Sequence, residues 1–364
     1  MMNKMISNTR FSFLIAILFL GWVACATPPT MQEKAEQADA FITMTLHENE
    51  LPGISVTILK AGEQVYSKGF GFADIEAEKV IDPSKTRFRI GSVSKTFAAS
   101  ALMTLVEDNK VHLDSSIFDY IPNFPEKKWT ITPRQVAGHL SGIRHYRGDE
   151  MYIKRFYPTV DEALSIFEED TLLHEPGSKY FYSTHAWTLL SAVIEQTAQA
   201  PYLEYMQQSV FNPLSMNSTH PEINDLEGVE KVSYYVRDSS GGLIPAPEVD
   251  NSWKWAGGGF ISTTEDVARF LWQHAEASYL TVESLSELTT PQQTTSGEST
   301  NYGLGWSNRE DAQGNRLIGH TGGSVGGTTF AFMQPNSEVV VVITTNVSNA
   351  SFGTLANDLF TLYQ

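Results

Sequence analysis

The chain of 364 residues contains a single cysteine, Cys25, which lies near the N-terminus. The sequence after it therefore has no internal disulfide and no thiolate metal site. The nine histidines show neither H-E-x-x-H nor another short paired spacing, so no zinc site and no cofactor are predicted. His139 and His145 stand six residues apart across a Ser-Gly turn and are expected to be structural or to line a cleft.

Basic residues are scarce. The chain has 25 Lys and Arg against 42 Asp and Glu, a formal net charge of −17 at pH 7. Two of the basic residues, Lys4 and Arg10, lie in the first ten positions. A surface this acidic repels polyphosphate, so nucleic acid is not an expected partner.

Long hydrophobic runs are also few, and the clearest one, Phe11–Leu20, is too short to span a bilayer comfortably. Lys4 and Arg10 precede it, and the small residues Ala24-Cys25-Ala26 follow it. This order is typical of a secretory signal peptide and predicts cleavage after Ala26. Residues 1–26 are therefore interpreted as a leader, and residues 27–364 as one hydrolase domain.

Two other interpretations of the leader stay open. Cys25 could be the lipidated residue of a bacterial lipoprotein, which would tether the chain to a membrane, although Trp22 fits poorly three residues before it. The leader could also remain as an uncleaved N-terminal anchor. All three interpretations predict a periplasmic or secreted protein.

Hydrophobic periodicity predicts strands near both ends of the chain and helices between them. A helix is predicted at about residues 32–48, followed by a hairpin in "ISVTILKAGEQVYSKGFGFAD" with its turn at Ala61–Gly62. Residues 92–108 predict a second helix. Residues 111–238 show several helical patterns, the clearest in "WTLLSAVIEQTAQ", and no convincing run of strands.

Strand patterns return late in the sequence. "YGLGWS", "GGTTFAFMQP" and "EVVVVITTN" predict strands, the last two joined by a turn at Pro335–Ser337, and a final helix is predicted at about residues 352–362. Pairing of the early and late strands would close one antiparallel sheet. The predicted fold is α/β (α+β), with an α/β part at about 32–110 and 239–364 and an inserted helical part at about 111–238. The cleft is expected between the two parts.

The stretch "RIGSVSKTF", residues 89–97, contains two serines and a lysine that bear on chemistry. A phosphate-binding loop would need glycine where Arg89 and Ser94 stand, so that reading is excluded. On a helix, residues three apart share a face, which brings Ser92 close to Lys95 and turns Ser94 away. Ser92 is thus the candidate nucleophile. Taken alone, S-x-x-K is also compatible with an N-cap serine and a solvated lysine.

Six segments, in this order, resemble landmarks of the serine β-lactamase and penicillin-binding superfamily, in particular its class C-like branch. They are "TRFRIGSVSKTF", "GHLSGI", "EPGSKYFYST" with "LLSAVIEQ", "AGGGFISTTEDVARF", "YGLGW" and "GHTGG". The resemblance covers nearly the whole chain after the leader. Within the branch, "SGIRHY", "VDNSWKWAGGGF" and "HTGGSVG" are most similar to the mitochondrial serine β-lactamase-like peptidases of animals. The resemblance implies a β-lactamase/transpeptidase-like fold.

The resemblance also implies roles for individual residues. Ser92 would form an acyl-enzyme, and Lys95 would help to remove its proton. Tyr182 would act as a phenolate-like base that moves protons to the leaving group and later activates water. The backbone N–H groups of Ser92 and Gly323 would form the oxyanion hole.

Two departures from the family pattern affect the substrate-binding residues. Thr184 stands where the Y-x-N element has asparagine, so the amide that usually holds the substrate's acylamino group is missing. His320 replaces lysine at the start of the third motif and is followed by Thr321, Gly322 and Gly323. Because histidine titrates near neutrality, recognition of a substrate carboxylate is expected to be weaker and pH-sensitive.

The expected function is a secreted serine hydrolase that cleaves amide bonds through an acyl-enzyme, as a peptidase. Its partner would be a small peptide, amide or ester substrate. The alternatives within enzymes are an esterase and a D-alanyl-D-alanine carboxypeptidase or β-lactamase. From another class comes a non-catalytic binding or assembly module, which would have no need of Ser92, Lys95 and Tyr182 together.

Overall fold

The computed structural model describes residues 28–223 and 228–364. The predicted leader, with its cleavage after Ala26 and the possible lipidation of Cys25, lies outside the described residues. None of the described helices has the length and apolar character needed to cross a membrane.

The described elements alternate along the chain much as periodicity predicts. The helices are α1 Met31–Glu48, α2 Ser94–Glu107, α3 Pro133–Ala137, α4 Val160–Leu164, α5 His185–Ala198, α6 Tyr202–Met206, α7 Trp255–Gly258, α8 Thr264–Ala275, α9 Val282–Thr289 and α10 Leu355–Tyr363. The strands are β1 Gly53–Lys60, β2 Glu63–Asp74, β3 Lys79–Val80, β4 Phe88–Arg89, β5 His220–Pro221, β6 Tyr235–Arg237, β7 Leu243–Pro245, β8 Phe260–Ser262, β9 Ser307–Glu310, β10 Arg316–Ser324, β11 Gly327–Gln334 and β12 Val339–Thr345.

One antiparallel sheet joins the two ends of the chain. Its seven strands lie in the order β3-β2-β1-β12-β11-β10-β9, and Ile54 of β1 pairs with Thr345 of β12. This confirms the predicted closure between early and late strands. A three-stranded sheet, β4-β8-β5, lies at the start of the nucleophile segment and connects it to the chain around residues 220 and 261.

Strand β12 is buried on both faces because helices cover both sides of the sheet. Val340 and Val342 belong to the larger core with α2, α5 and α8, whereas Val341 and Ile343 pack with α1 and α10. A strand that is buried on both faces typically has a continuous run of apolar residues in its sequence, as "EVVVVITTN" does. Thr30 begins α1 with a capping box in which its hydroxyl accepts from the Glu33 N–H.

The predictions for individual elements are mostly confirmed. The first helix, the hairpin, the β11 and β12 strands with their turn at Pro335–Ser337, and the last helix are present. The strand prediction for "YGLGWS" is wrong: Tyr302 and Ser307 form only an isolated bridge, and β9 begins at Ser307. Gly305 adopts φ 81°, which an extended strand does not allow. The middle of the chain also contains the short strands β5 and β6.

Candidate active site

The nucleophile segment begins with a glycine in a left-handed conformation. Gly91 has φ +50°, and residues Gly91–Val93 form a 3-10 turn that leads into α2. A Cβ on Gly91 would lie 2.6 Å from the carbonyl oxygen of Gly323, so these two segments touch through their backbones. The close approach holds Ser92 beside strand β10.

The two serines have different environments, and only one faces a cleft. Ser92 is half-buried, while Ser94 is fully buried and donates its hydroxyl to the Gly91 carbonyl at 2.8 Å. The Phe260 N–H donates to Ser94 Oγ at 3.4 Å. Ser94 therefore stabilises the turn, and Ser92 is the serine available for chemistry.

Two side chains donate hydrogen bonds to the Ser92 hydroxyl oxygen. Lys95 Nζ lies 3.0 Å from Ser92 Oγ, and the Tyr182 hydroxyl lies 2.8 Å from it. Lys95 also donates to the Gly257 carbonyl and is fully buried. Burial, followed by the charge of Lys254, holds the pKa of Lys95 well below its ordinary value. This arrangement favours a neutral amine, whose lone pair can accept the serine proton once the Ser92 O–H turns toward Nζ.

Tyr182 is a neutral phenol in the free protein. Burial raises its pKa above the ordinary value, and its hydrogen bond to Ser92 opposes this only in part. The His139 ring packs against the Tyr182 ring, with centroids 4.2 Å apart, and accepts the Ser183 N–H at Nδ1. The predicted phenolate-like state of Tyr182 is thus disfavoured in the free protein.

The segment around Gly323 forms one wall of a cleft of about 660 Å³. Ser92, Tyr182, Thr184, His145 and Tyr146 line the same cleft. Strand β9 pairs with β10 only up to Gly319, so no described strand covers the outer edge of β10 from His320 to Ser324. The backbone N–H groups of Ser92 and Gly323 belong to two touching segments at this edge.

His320 is buried and uncharged, which corrects the expectation that it titrates near neutrality. Burial, followed by the charge of Lys95, lowers the pKa of His320 to about 3. Its Nδ1 donates to the Thr321 carbonyl at 2.5 Å, and its Nε2 accepts from the Tyr302 hydroxyl at 2.9 Å. Both ring nitrogens are occupied within the protein, so His320 offers no charge to a substrate carboxylate.

The other predicted substrate-binding residues have distinct surroundings. Thr184 is buried at the start of α5 and lines the cleft, and its N–H donates to His145 Nδ1 at 3.1 Å. Gly322 packs on the nucleophile segment, because a Cβ there would lie 1.9 Å from the Ile90 carbonyl oxygen. Thr321 is half-buried, with its hydroxyl oxygen at 3.4 Å from Arg309.

Three residues near the site were not predicted from the sequence. Tyr302 belongs to the segment "YGLGW", and nothing in that segment predicts the hydrogen bond from Tyr302 to His320. Arg309 had no sequence signal, because its contact with Thr321 depends on the pairing of β9 with β10. Lys254, in "WKW", is a buried cation whose charge acts on Lys95.

Comparison with known proteins gives concordant matches. The family model described as Beta-lactamase matches residues 35–360. The mitochondrial serine beta-lactamase-like protein LACTB of Homo sapiens is 29% identical over 378 residues, covering 78% of this chain and 69% of that protein. The octameric penicillin-binding protein homologue from Pyrococcus abyssi has a TM-score of 0.76 at 27% identity and covers 90% of this chain and 76% of its own. The D-amino acid amidase from Ochrobactrum anthropi SV3 has a TM-score of 0.76 at 20% identity, and the match covers 90% of this chain and 97% of the amidase chain.

Proposed function

The chain belongs to the β-lactamase family, and we propose that it is a serine hydrolase that cleaves an amide bond in a small peptide through an acyl-enzyme on Ser92. The observation that carries this proposal is the pair of hydrogen bonds that Lys95 and Tyr182 donate to one hydroxyl oxygen. A nucleophile, a buried amine and a second proton donor at one oxygen are the groups that covalent acyl transfer requires. The leader sequence supports a site of action outside the cytoplasm.

In the first half of the reaction, Ser92 Oγ bonds to the substrate carbonyl carbon and its proton passes to Lys95. The carbonyl electron pair moves to oxygen, where the N–H groups of Ser92 and Gly323 stabilise the negative charge. The carbon–nitrogen bond then breaks. The leaving nitrogen takes a proton from Tyr182, which recovers one from the Lys95 ammonium.

In the second half, water attacks the ester carbonyl and gives its proton through Tyr182 to Lys95. Collapse of this intermediate releases the acid, and Ser92 Oγ recovers its proton. The cycle consumes one water and restores every protein group. The neutral resting state of Tyr182 suits a relay, because the phenol can donate at once while Lys95 holds the proton taken from Ser92.

The peptide class is supported by the surroundings of the β10 edge. On this edge of β10, Gly323 is exposed and Ser324 is half-buried, and their backbone groups can pair with an extended peptide. The exposed Arg309 lies beside Thr321 and has no ion-pair partner among the described residues. Its guanidinium lies over the Phe332 ring, on the face of the sheet that packs against α1 and α10, and neither Arg309 nor Thr321 lines the cleft of Ser92.

An esterase is the second candidate. Thr184 favours this candidate. An asparagine amide at this position would offer a substrate peptide group an N–H donor and a carbonyl acceptor side by side, whereas threonine has one hydroxyl and a methyl group. The exposed Met151 and Tyr152 at the same cleft add apolar surface. Such a cleft would accept short acyl chains.

An active-site fluorophosphonate probe tests the proposal. We expect labelling of the wild type, loss of labelling in Ser92→Ala and retention of most labelling in Ser94→Ala, a matched buried serine two residues away. Cleavage of a peptide library by the wild type, lost in Ser92→Ala, would establish the amide class. Turnover of short acyl esters alone would favour the esterase, and absence of acylation in the folded wild type would reject the hydrolase.

A further inference from the structure

Arg89, three residues before Ser92, forms a buried ion pair with Glu222. The two side chains are 6% and 2% exposed, and Arg89 Nη2 lies 2.7 Å from Glu222 Oε1. Arg89 Nε lies 2.8 Å from each of the two carboxylate oxygens. The Asn251 amide donates to Oε2 of the same carboxylate at 2.6 Å. A buried pair of this kind often gives no more stability than apolar residues of the same volume, so its presence calls for a separate explanation.

The same guanidinium makes a further contact, with a turn in the wall of the cleft. Arg89 Nη1 donates to the Val325 carbonyl at 2.6 Å, and Val325 is buried and lines the cleft. Val325 and Gly326 are the two residues of the turn between β10 and β11, because Ser324 pairs with Gly327. The residues of such a turn lie outside the hydrogen-bond ladder of the strands. Arg89 therefore binds a buried carbonyl that needs a partner from outside the ladder.

These contacts join the two segments that carry the proposed oxyanion donors. Ser92 follows Arg89 by three residues, and Gly323 precedes Val325 by two. The segments also pack backbone against backbone, since a Cβ on Gly327 would lie 2.7 Å from the Arg89 carbonyl oxygen. Packing limits how closely the two segments can approach. The hydrogen bond from the guanidinium also resists their separation and fixes its direction.

The guanidinium is itself held in one orientation. The Glu222 N–H donates to the Gly259 carbonyl at 2.8 Å, directly before β8, and Ile261 of β8 pairs with Arg89. The Tyr234 ring covers the guanidinium, with its centroid 3.8 Å from Arg89 Cζ. A carboxylate at its edge and a ring on its face therefore orient the side chain that binds the turn.

We propose that Arg89 is a positioning residue for the oxyanion hole. Its guanidinium, oriented by Glu222, holds the β10–β11 turn by the Val325 carbonyl. The Gly323 N–H at the end of β10 is thereby kept aligned with the N–H of Ser92. Arg89 does not line the cleft and acts through the backbone. The inference rests on the proposed function, in which these two N–H groups stabilise the negative charge of the intermediate.

Saturation kinetics of fluorophosphonate labelling test the proposal, because the phosphoryl oxygen of the probe enters the oxyanion hole. The limiting rate of labelling, kinact, and the half-saturating concentration, Ki, are measured in wild type and Arg89→Lys. Lysine keeps a positive charge for Glu222 but cannot meet a carboxylate and a carbonyl in the directions of a planar guanidinium. We expect kinact to fall by on the order of 10²-fold with Ki unchanged.

Arg87→Lys is the matched control. Arg87 belongs to the same segment, and its guanidinium donates to the carbonyls of Ser218 and Lys85 instead of the β10–β11 turn. This variant should keep the wild-type kinact and Ki.

A double variant separates loss of the turn contact from loss of folding. Arg89→Met with Glu222→Gln removes both charges, so neither is left unpaired in the interior, and it keeps an acceptor for the Asn251 amide. The bond to Val325 is still lost, and kinact should fall as in Arg89→Lys. A merely structural role would lower the urea midpoint of both variants and leave kinact of the folded protein unchanged, which would overturn the proposal. So would a rise in Ki at constant kinact.

Amide hydrogen exchange gives a measurement that is independent of turnover. Exchange in the peptide covering residues 321–327 should be about tenfold faster in Arg89→Lys than in wild type and Arg87→Lys, while exchange in β12 stays the same. That result supports the inference even in a protein that the probe never labels, and then only the proposed function fails. Unchanged exchange rejects the inference, while a labelled wild type keeps the proposed function.

Discussion

The Tyr302 hydroxyl lies 2.9 Å from Nε2 of His320 and donates a hydrogen bond to it. Because Nδ1 of the same ring donates to the Thr321 carbonyl, the tautomer is set by two contacts on opposite sides of the imidazole. The histidine that begins the third motif is therefore a neutral support for strand β10.

His320 should leave substrate affinity independent of pH across the physiological range. Its pKa of about 3 lies well below the ordinary 6.5, so it stays neutral from about pH 5 to pH 8. KM for a peptide with a free carboxylate, measured over this range, should show no midpoint near 6.5. A midpoint there that vanishes in His320→Gln would contradict this prediction.

Acid should destabilise the fold through its buried and half-buried histidines. Six have lowered pKa values: His139, His145, His185, His220, His274 and His320. Below pH 6.5 the unfolded chain binds protons that the folded chain does not bind, so this contribution is complete above pH 6.5 and is lost as pH falls toward 4. The free energy of unfolding, measured in urea from pH 7.5 to pH 4.5, should decrease with up to six protons taken up on unfolding.

His274 offers a matched control for this pH dependence. It is buried away from the cleft, with Nε2 at 2.8 Å from Ser100 Oγ and Nδ1 donating to the Phe270 carbonyl. His274→Gln should reduce the proton uptake by about one. A stability that stays constant over the same pH range in the wild type would mean that these histidines are not neutral in the folded protein.

The contact between Gly91 and Gly323 should not tolerate a side chain. In Gly91→Ala the new Cβ would meet the Gly323 carbonyl oxygen at 2.6 Å in a left-handed backbone, which forces Ser92 away from strand β10. Loss of one oxyanion donor costs about 10²–10³ in kcat, and a decrease of this size is expected. Gly258→Ala is the control, since its Cβ would meet Gly91 at an ordinary 3.5 Å. Similar kcat values for the two variants would argue against this geometry.

Elements governed by local periodicity were predicted well from the sequence. Alternation of apolar and polar residues identified the hairpin, and the apolar run "EVVVVITTN" identified β12. "YGLGWS" failed because its conformation depends on distant packing. A Cβ on Gly305 would lie 2.7 Å from the Trp187 ring and 2.8 Å from Ala99, so the chain turns there to fit against α2 and α5.

For the candidate site, the residues predicted from the sequence are those that lie close in the chain or inside a family landmark. Three-residue spacing selected Ser92 with Lys95, and resemblance added Tyr182 and His320. The tertiary structure alone decided which of these groups carry charge. It buried His320 against Tyr302, kept Tyr182 protonated, and placed Lys254 over the Trp253 ring.

The physical reason is that a protonation state depends on solvation and on charges a few ångströms away. Those neighbours come from segments far apart in the chain: Tyr182 reaches Ser92 across 90 positions, and Arg309 reaches Thr321 only because β9 pairs with β10. The three-residue spacing of Ser92 and Lys95 predicts that these two residues lie close together on a helical turn. Spacing contains no information about burial, and burial decides which groups of this site are charged.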